Sequence, residues 1–386
     1  MFQYFPGNYM WSLSVLRCLA GGGLFGEIDW ACRNLHEASR TGAAGDAEAW
    51  YKAWGQLSEQ VEAVASEAAR DGKNVTSREA YFRAAQYYQW TEAFLDPDDA
   101  RAPVAYAKHL ACFERFAQLS TPEVEIFDIP FDGSALTAYF VKAQNASAPA
   151  PTVLLHDGLD GTKEEMFYVA RSLSARGMNC MGFDGPGQGA TLRLKNLVAR
   201  HDSEVALGAV VDYVSKRADV DASRIGLMAA SMGGYYAPRA VCFEKRVKAC
   251  VAWAAIYDYY ACWQRRVGYE KGVGIKQLDS NAALGTTGKH FLRIMGVENW
   301  DQAFDKLERF RLKGVASNIT CDFMIVHGEH DRQTPLGEAE ELFAEVSSEH
   351  KVLRVYREEE GGAAHVQLDR PEPALSMICD WFSERL

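Results

Sequence analysis

Arg224-Ile225-Gly226-Leu227-Met228-Ala229-Ala230-Ser231-Met232-Gly233-Gly234-Tyr235-Tyr236 is an apolar run that stops at a serine and restarts with helical character. A serine hydroxyl is a poor nucleophile unless the backbone holds it clear of its neighbours, beside a base and beside amide donors for a developing oxyanion. A tight strand-to-helix turn with small flanking residues does this, and Gly-x-Ser-x-Gly encodes it. Here Ala229 stands at the first glycine, and short Ser-x-Gly strings also occur as plain surface turns. The sequence on either side has to decide.

Around this stretch, strands and helices alternate. Strands are expected at 152–156, 178–184, 224–229, 247–254, 321–327 and 352–356, with helices at 163–176, 203–216, from Met232, at 336–346 and at 372–385. Short apolar strands separated by helices predict right-handed crossovers and a parallel sheet covered on both faces. Upstream, 124–131 and 136–141 flank Asp132-Gly133 as a hairpin, and Pro130 puts its first strand at an edge or ends it there. The fold class is therefore α/β, a mostly parallel doubly wound sheet spanning 121–386, with an aromatic and basic cap insertion at about 256–314.

Residues 1–120 carry helical signals and almost none for strands, and read as a helical cap or lid region. Trp54, Leu57, Val61, Val64 and Ala68 follow Trp50 at helical spacing. Thr76-Ser77-Arg78-Glu79 reads as a capping box opening a tyrosine-rich helix, and another helix is expected from about Pro103 to Leu119. The many aromatics here are expected mainly to fill a helical core.

Composition excludes several function classes. A net charge of −11 disfavours nucleic acid, whose partners concentrate Lys and Arg to displace counterions. No apolar run is long enough to span a bilayer, and the amino terminus lacks the pattern of a signal peptide, so no membrane partner is expected. Nine scattered cysteines without a CxxC pair fit reduced thiols and a cytoplasmic location. No metal-ligand spacing stands out, and neither a metal nor a cofactor is expected.

If Ser231 is a nucleophile, an acid and a histidine should follow it, each in a loop after a late strand. Asp331 lies in His327-Gly328-Glu329-His330-Asp331 and His365 closes Gly361-Gly362-Ala363-Ala364-His365. His365 would take and return the serine proton, and Asp331 would hold the imidazole tautomer. Glu329 is the rival acid; His156, His327 and His330 are rival bases, the last two preceding the acid. The oxyanion donors expected are the amide of Met232 and that of Gly158 or Leu159, in the glycine-rich loop 156–165. Asp157 and Asp160 read as turn residues, Thr162 to Glu165 as a second capping box, and Asp184-Gly185-Pro186-Gly187-Gln188-Gly189 as a tight turn rather than a nucleotide loop. Tyr235, Tyr257 and Trp263 offer stacking surface for a flat small-molecule substrate.

His156-Asp157-Gly158-Leu159-Asp160-Gly161-Thr162-Lys163-Glu164-Glu165, Asp184 to Gly189, the Ser231 elbow, Asp331 and His365 together resemble the α/β-hydrolase branch containing 2,6-dihydroxypseudooxynicotine hydrolase and the fungal polyketide-shortening hydrolases. The resemblance covers about residues 120–386 closely and the helical region more loosely. It implies a helical part closing over the active site, cleavage of a carbon-carbon bond beside a ketone in an aromatic or polyketide substrate, and a homodimer through the helical region. It also implies that Asp258 stands where an assisting acid would be, although a helix-start cap explains the same residue. An esterase, lactonase or acyltransferase would use the same residues with an oxygen leaving group, and a catalytically silent binding module is the alternative from another class.

Overall fold

The computed structural model describes residues 1–42, 44–275 and 286–386. Among them the apolar strands expected from the sequence assemble into one eight-stranded sheet. β1 (Val124–Phe131) and β2 (Ser134–Val141) form a hairpin turning on Asp132 and Gly133, whose φ angles of 50° and 71° are those a two-residue turn demands. There follow β3 (Ala150–His156), β4 (Asn179–Phe183), β5 (Val220–Ala230) and β6 (Val247–Trp253), a small ladder of β7 (Tyr269–Glu270) with β8 (Gly274–Ile275), then β9 (Asp322–Gly328) and β10 (Lys351–Tyr356).

The sheet order is β1-β2-β4-β3-β5-β6-β9-β10, with β2 antiparallel to β4 and every ladder from β4 to β10 parallel. β1, which carries Pro130, is an edge strand. In the central strands residues of both faces are buried, as Val153 and Leu154, Leu227 and Met228, or Val251 and Ala252 are. Both faces are therefore covered, as continuous apolar strands require. The register pairs His156 with Ala229, Ala230 with Trp253 and Trp253 with Val326, so neighbouring strands end together. Loops leaving those carboxyl ends meet at one edge, where such sheets bind ligands.

Two local expectations are corrected, and one turn that holds leads into a helix that was not expected. The helix expected from Lys163 begins at Phe167; the Glu165 amide does donate to Thr162 Oγ1 at 3.3 Å, but ahead of the helix, over turns. Asp184–Gly189 is a turn that runs directly into an unforeseen helix, Gly189–Lys195. In the helical region, the helix expected to open with a Thr76 capping box starts at Asn74, because the Asp71-Gly72 turn, with Gly72 at φ 70°, sends the chain straight back into helix. Thr76 thus falls inside the first turn.

The chain divides into two compact units, residues 126–275 with 294–386, and residues 2–125 with 286–293. The second is helical, with Tyr9–Ala20, Phe25–Cys32, Ala47–Arg70, Asn74–Glu92 and Ala102–Gln118 as its main helices. Asp46 caps Ala47–Arg70 by accepting from the amides of Glu48 and Ala49. Trp50, Trp54, Leu57, Val61, Ala65 and Ala68 face inward on this helix, whereas Val64, expected inward, is half exposed because Ala65 takes that turn of the face. Trp11, Trp50 and Trp54 pack with centroids 4.8 and 5.0 Å apart, and Trp50 Nε1 donates to Trp90 O at 2.8 Å.

The expected insertion at about 256–314 is not one body. Its described residues 286–293 group with the helical unit, where Lys289 pairs with Asp96 and Arg293 donates to Pro97 O, while its flanks stay with the sheet. Residues 276–285 of it lie outside the described residues. Among the described residues no helix is long and apolar enough to cross a membrane, and the nine cysteines are free.

Candidate active site

Strand β5 ends at Ala230, and Ser231 is held at φ 58°, a left-handed backbone that costs a non-glycine residue about 1–3 kcal/mol. The turn is locked on both sides: Ser231 N donates to Trp253 O at 2.8 Å and Gly234 N to Ser231 O at 2.7 Å. A Cβ on Gly234 would stand 2.1 Å from Ala254 O, so only glycine lets the helix Gly233–Val241 start this close to β6. The Ala229 methyl is buried, and a Cβ on Gly233 would meet it at 2.6 Å. With alanine at 229, position 233 has to be glycine.

His365 Nε2 lies 2.9 Å from Ser231 Oγ, and His365 Nδ1 lies 2.7 Å from Asp331 Oδ2. A carboxylate only accepts, so Nδ1 carries the proton and Nε2 is left to accept from the serine hydroxyl. The order expected from the sequence thus closes into a hydrogen-bonded chain of three side chains. Asp331 also accepts from the Gln333 and Thr334 amides, at 2.8 and 2.9 Å, and from Thr334 Oγ1 at 2.8 Å. Burial pushes its pKa up, but His365 and these donors prevail and hold it at about 2. After His365, Val366 and Gln367 both take positive φ, and the Trp253 indole donates to Gln367 Oε1, tying this turn to the strand beside the elbow.

The rivals are engaged elsewhere. Glu329 pairs with Arg357 at 3.3 Å, and the exposed His330 pairs with Glu358. His327 Nε2 donates to Thr334 O at 3.0 Å, and burial lowers its pKa. His156 Nδ1 donates to Asp157 O at 3.1 Å, and burial lowers its pKa to about 4, so it stays neutral.

Facing the elbow is the loop after β3. A Cβ on Gly158 would fall 2.9 Å from Ser231 Cβ and 3.3 Å from its Oγ, so the loop backbone touches the serine itself. Of the two amides expected as alternatives there, Gly158 N–H is already given to Asp157 Oδ1 at 2.6 Å. The amides of Leu159 and Met232 have no acceptor among the described residues. Asp157, expected as a turn residue, is one whose carboxylate folds back over its own loop.

Two groups that hold this loop were not foreseen. Gln188 Nε2 donates to Gly158 O at 2.6 Å and to Asp157 O at 2.5 Å, while its Oε1 accepts from Gly185 N at 3.2 Å. Asp184 accepts from the Lys163 amide at 2.7 Å and the Ala190 amide at 2.9 Å, and pairs with Lys163 Nζ at 3.2 Å. Lys163 Nζ also meets Glu164 at 2.6 Å, and all three side chains are buried. Burial would depress the ammonium, but the two carboxylates outweigh it and raise its pKa. The only sequence signal for either group was the glycine-rich string 184–189.

The residues expected to touch substrate direct their polar atoms into the protein. Tyr235 is buried, and its hydroxyl donates to His201 O at 2.7 Å. The Tyr257 hydroxyl donates to Glu345, and Glu338 accepts the amides of both Tyr257 and Asp258. Asp258 caps the helix Tyr259–Val267 through Ala261 N at 3.0 Å and pairs with Arg311 at 2.9 Å, as its reading as a helix-start cap expects. Trp263 is buried against Tyr259 and Trp300, with Arg266 over its ring.

The family model for FrsA-like esterases matches residues 44–266, and that for the prolyl oligopeptidase family matches 178–386. The chain is 33% identical to the α/β hydrolase xenA of Xenoacremonium sinensis over 279 residues, 68% of this chain and 63% of xenA, so it spans less than two thirds of that relative. It is 28% identical to the 2,6-dihydropseudooxynicotine hydrolase of Paenarthrobacter nicotinovorans over 80% of this chain and 78% of that one. The crystal structure of 2,6-dihydroxy-pseudo-oxynicotine hydrolase superposes with a TM-score of 0.80 at 24% identity, covering 96% of this chain and 95% of that one, and so shares the fold.

Proposed function

We propose, for a chain that belongs to the α/β-hydrolase family and is related to C–C hydrolases and polyketide hydrolases, a serine hydrolase that cleaves the bond beside a ketone in an aromatic or polyketide-type small molecule. The observation that carries this is the chain Ser231 Oγ to His365 Nε2 to Asp331, with the serine at φ 58°.

Ser231 Oγ attacks the ketone carbon while its proton passes to His365 Nε2, and Asp331 stabilises the imidazolium. The carbonyl oxygen becomes an oxyanion held by the Met232 amide and one amide of the 158–159 loop. As the carbonyl re-forms, the carbon-carbon bond breaks and His365 protonates the departing carbanion, leaving an acyl-serine. Water, deprotonated by His365, then releases the acid and restores the serine. Apart from substrate and water, every step uses groups of this chain, and the leaving carbanion has to be resonance-stabilised by the substrate. No nucleic-acid or membrane partner enters this reading.

The FrsA-like esterase match favours a second reading, in which an ester, lactone or acyl donor supplies an oxygen leaving group to the same residues. Incubation with a fluorophosphonate should label Ser231, and Ser231→Ala should abolish both labelling and turnover. Product analysis then separates the readings. Acid plus a carbon fragment from a panel of β-diketones and aryl ketones supports carbon-carbon cleavage, whereas turnover of esters alone, with every ketone untouched, rules it out.

A further inference from the structure

Asp184-Gly185-Pro186-Gly187-Gln188-Gly189 reads as a plain turn, yet its Gln188 is buried and reaches across to the loop that touches Ser231. We infer that Gln188 is a positioning residue for oxyanion stabilisation, and that the donor it presents is the Leu159 amide. The inference rests on the serine-hydrolase reading above.

The side-chain amide of Gln188 has its orientation dictated by its partners: two carbonyl oxygens, of Asp157 and Gly158, lie on one side, and the Gly185 N–H lies on the other. The NH2 group must face the former and the oxygen the latter. Both carbonyls of the segment 157–158 are thereby turned toward Gln188. In a trans peptide the N–H points opposite its C=O, so pinning Gly158 O aims the Leu159 N–H away from Gln188. The preceding N–H, of Gly158, is held by Asp157 Oδ1 at 2.6 Å and is not available. Gly158 itself lies against the serine, with no room for a Cβ. Loss of the Gln188 donors would let the 158–159 peptide rotate, and rotation turns the Leu159 amide away from the oxyanion.

Gln188→Met keeps the volume and removes both donors. Wild type and variant would be compared with p-nitrophenyl butyrate as substrate, with an aryl trifluoromethyl ketone that forms a hemiketal oxyanion on the serine, and with fluorophosphonate labelling. A donor misplaced by an ångström costs about 10²-fold, so kcat should fall roughly 10- to 100-fold, KM should stay within about threefold, and the trifluoromethyl ketone should bind weaker by the same factor as kcat. A folded Gln188→Met with kcat and inhibitor affinity within about twofold of wild type overturns the role of Gln188, while Ser231 labelling in that protein leaves the hydrolase reading standing. Should Gln188→Met not fold, Leu159→Pro removes the donor without touching the clamp. It should show the same selective loss, and unchanged kcat there overturns the assignment to Leu159. A wild type unlabelled at Ser231 would instead bring down the hydrolase reading and this inference with it.

Discussion

The two sides of Ser231 are built from different materials. On one side, β9 and β10 deliver Asp331 and His365, and the contacts that matter run between side chains: Asp331 to His365 at 2.7 Å and His365 to Ser231 at 2.9 Å. On the other, the loop after β3 presents backbone amides, and the side chains of Gln188, Asp157, Asp184 and Lys163 only hold that backbone in place. A side chain announces its chemistry by its identity. An amide is present at every residue other than proline, and what makes one of them useful is which neighbours leave it free.

The comparison breaks most severely on the side-chain side. Asp331→Asn keeps the shape but can donate to His365 Nδ1, which favours the wrong tautomer, and kcat should fall by about 10⁴-fold. Steady-state kinetics on the best substrate found would show it, and a loss below tenfold would mean that Asp331 does not orient the base. On the backbone side, Gly158→Ala places a methyl 2.9 Å from Ser231 Cβ. Loop or serine must then move, and the loss should resemble removal of one oxyanion donor, about 10²- to 10³-fold. Activity within a few fold would show that the loop shifts freely and that the close approach is incidental.

The two sides should also separate on acidification. Burial lowers the His156 pKa to about 4, from an ordinary 6.5, so the unfolded chain takes up a proton that the folded chain refuses. Between about pH 6.5 and 4 the unfolded state binds more protons, and stability falls as pH falls, by roughly 3 kcal/mol in all. Asp331 is held at about 2, below the ordinary 3.8, so its contribution is intact above about pH 4 and is lost as pH falls toward 2. Denaturant unfolding of His156→Gln should show a flatter dependence over pH 4–6.5 than wild type. An unchanged slope would mean that another group governs that window.

The smallest effect is expected at the elbow itself. Ala229→Gly deletes a buried methyl packed against Gly233 and loosens a strand, at a cost of about 1–2 kcal/mol in stability. Activity should stay within a few fold, because Ser231 is held by Trp253 O and by Gly234 rather than by that methyl. A large change in kcat would make the methyl part of the site.

The parallel sheet, its edge hairpin and the order of Ser231, Asp331 and His365 were legible because apolar periodicity and side-chain identity are local properties of the chain. So was the aromatic filling of the helical core, although Val64 and Thr76 show that helix phase and start depend on the turn before them. Asp258 could be read as an acid near the chemistry or as a cap, and its bonds to Ala261 N and Arg311 are those of a cap. Where the Tyr235 and Tyr257 hydroxyls donate was illegible for the same reason, since a tyrosine hydroxyl points wherever the fold offers an acceptor. Sequence alone named Ser231, Asp331 and His365 as the groups proposed to carry the chemistry, because a nucleophile, a base and an acid differ from other residues in kind. Only the tertiary structure decided that the backbone at Gly158 lies against the serine and that Gln188 holds it there, because amides are alike in kind and differ only in their neighbours, and Gln188 comes to Gly158 across 30 residues of chain.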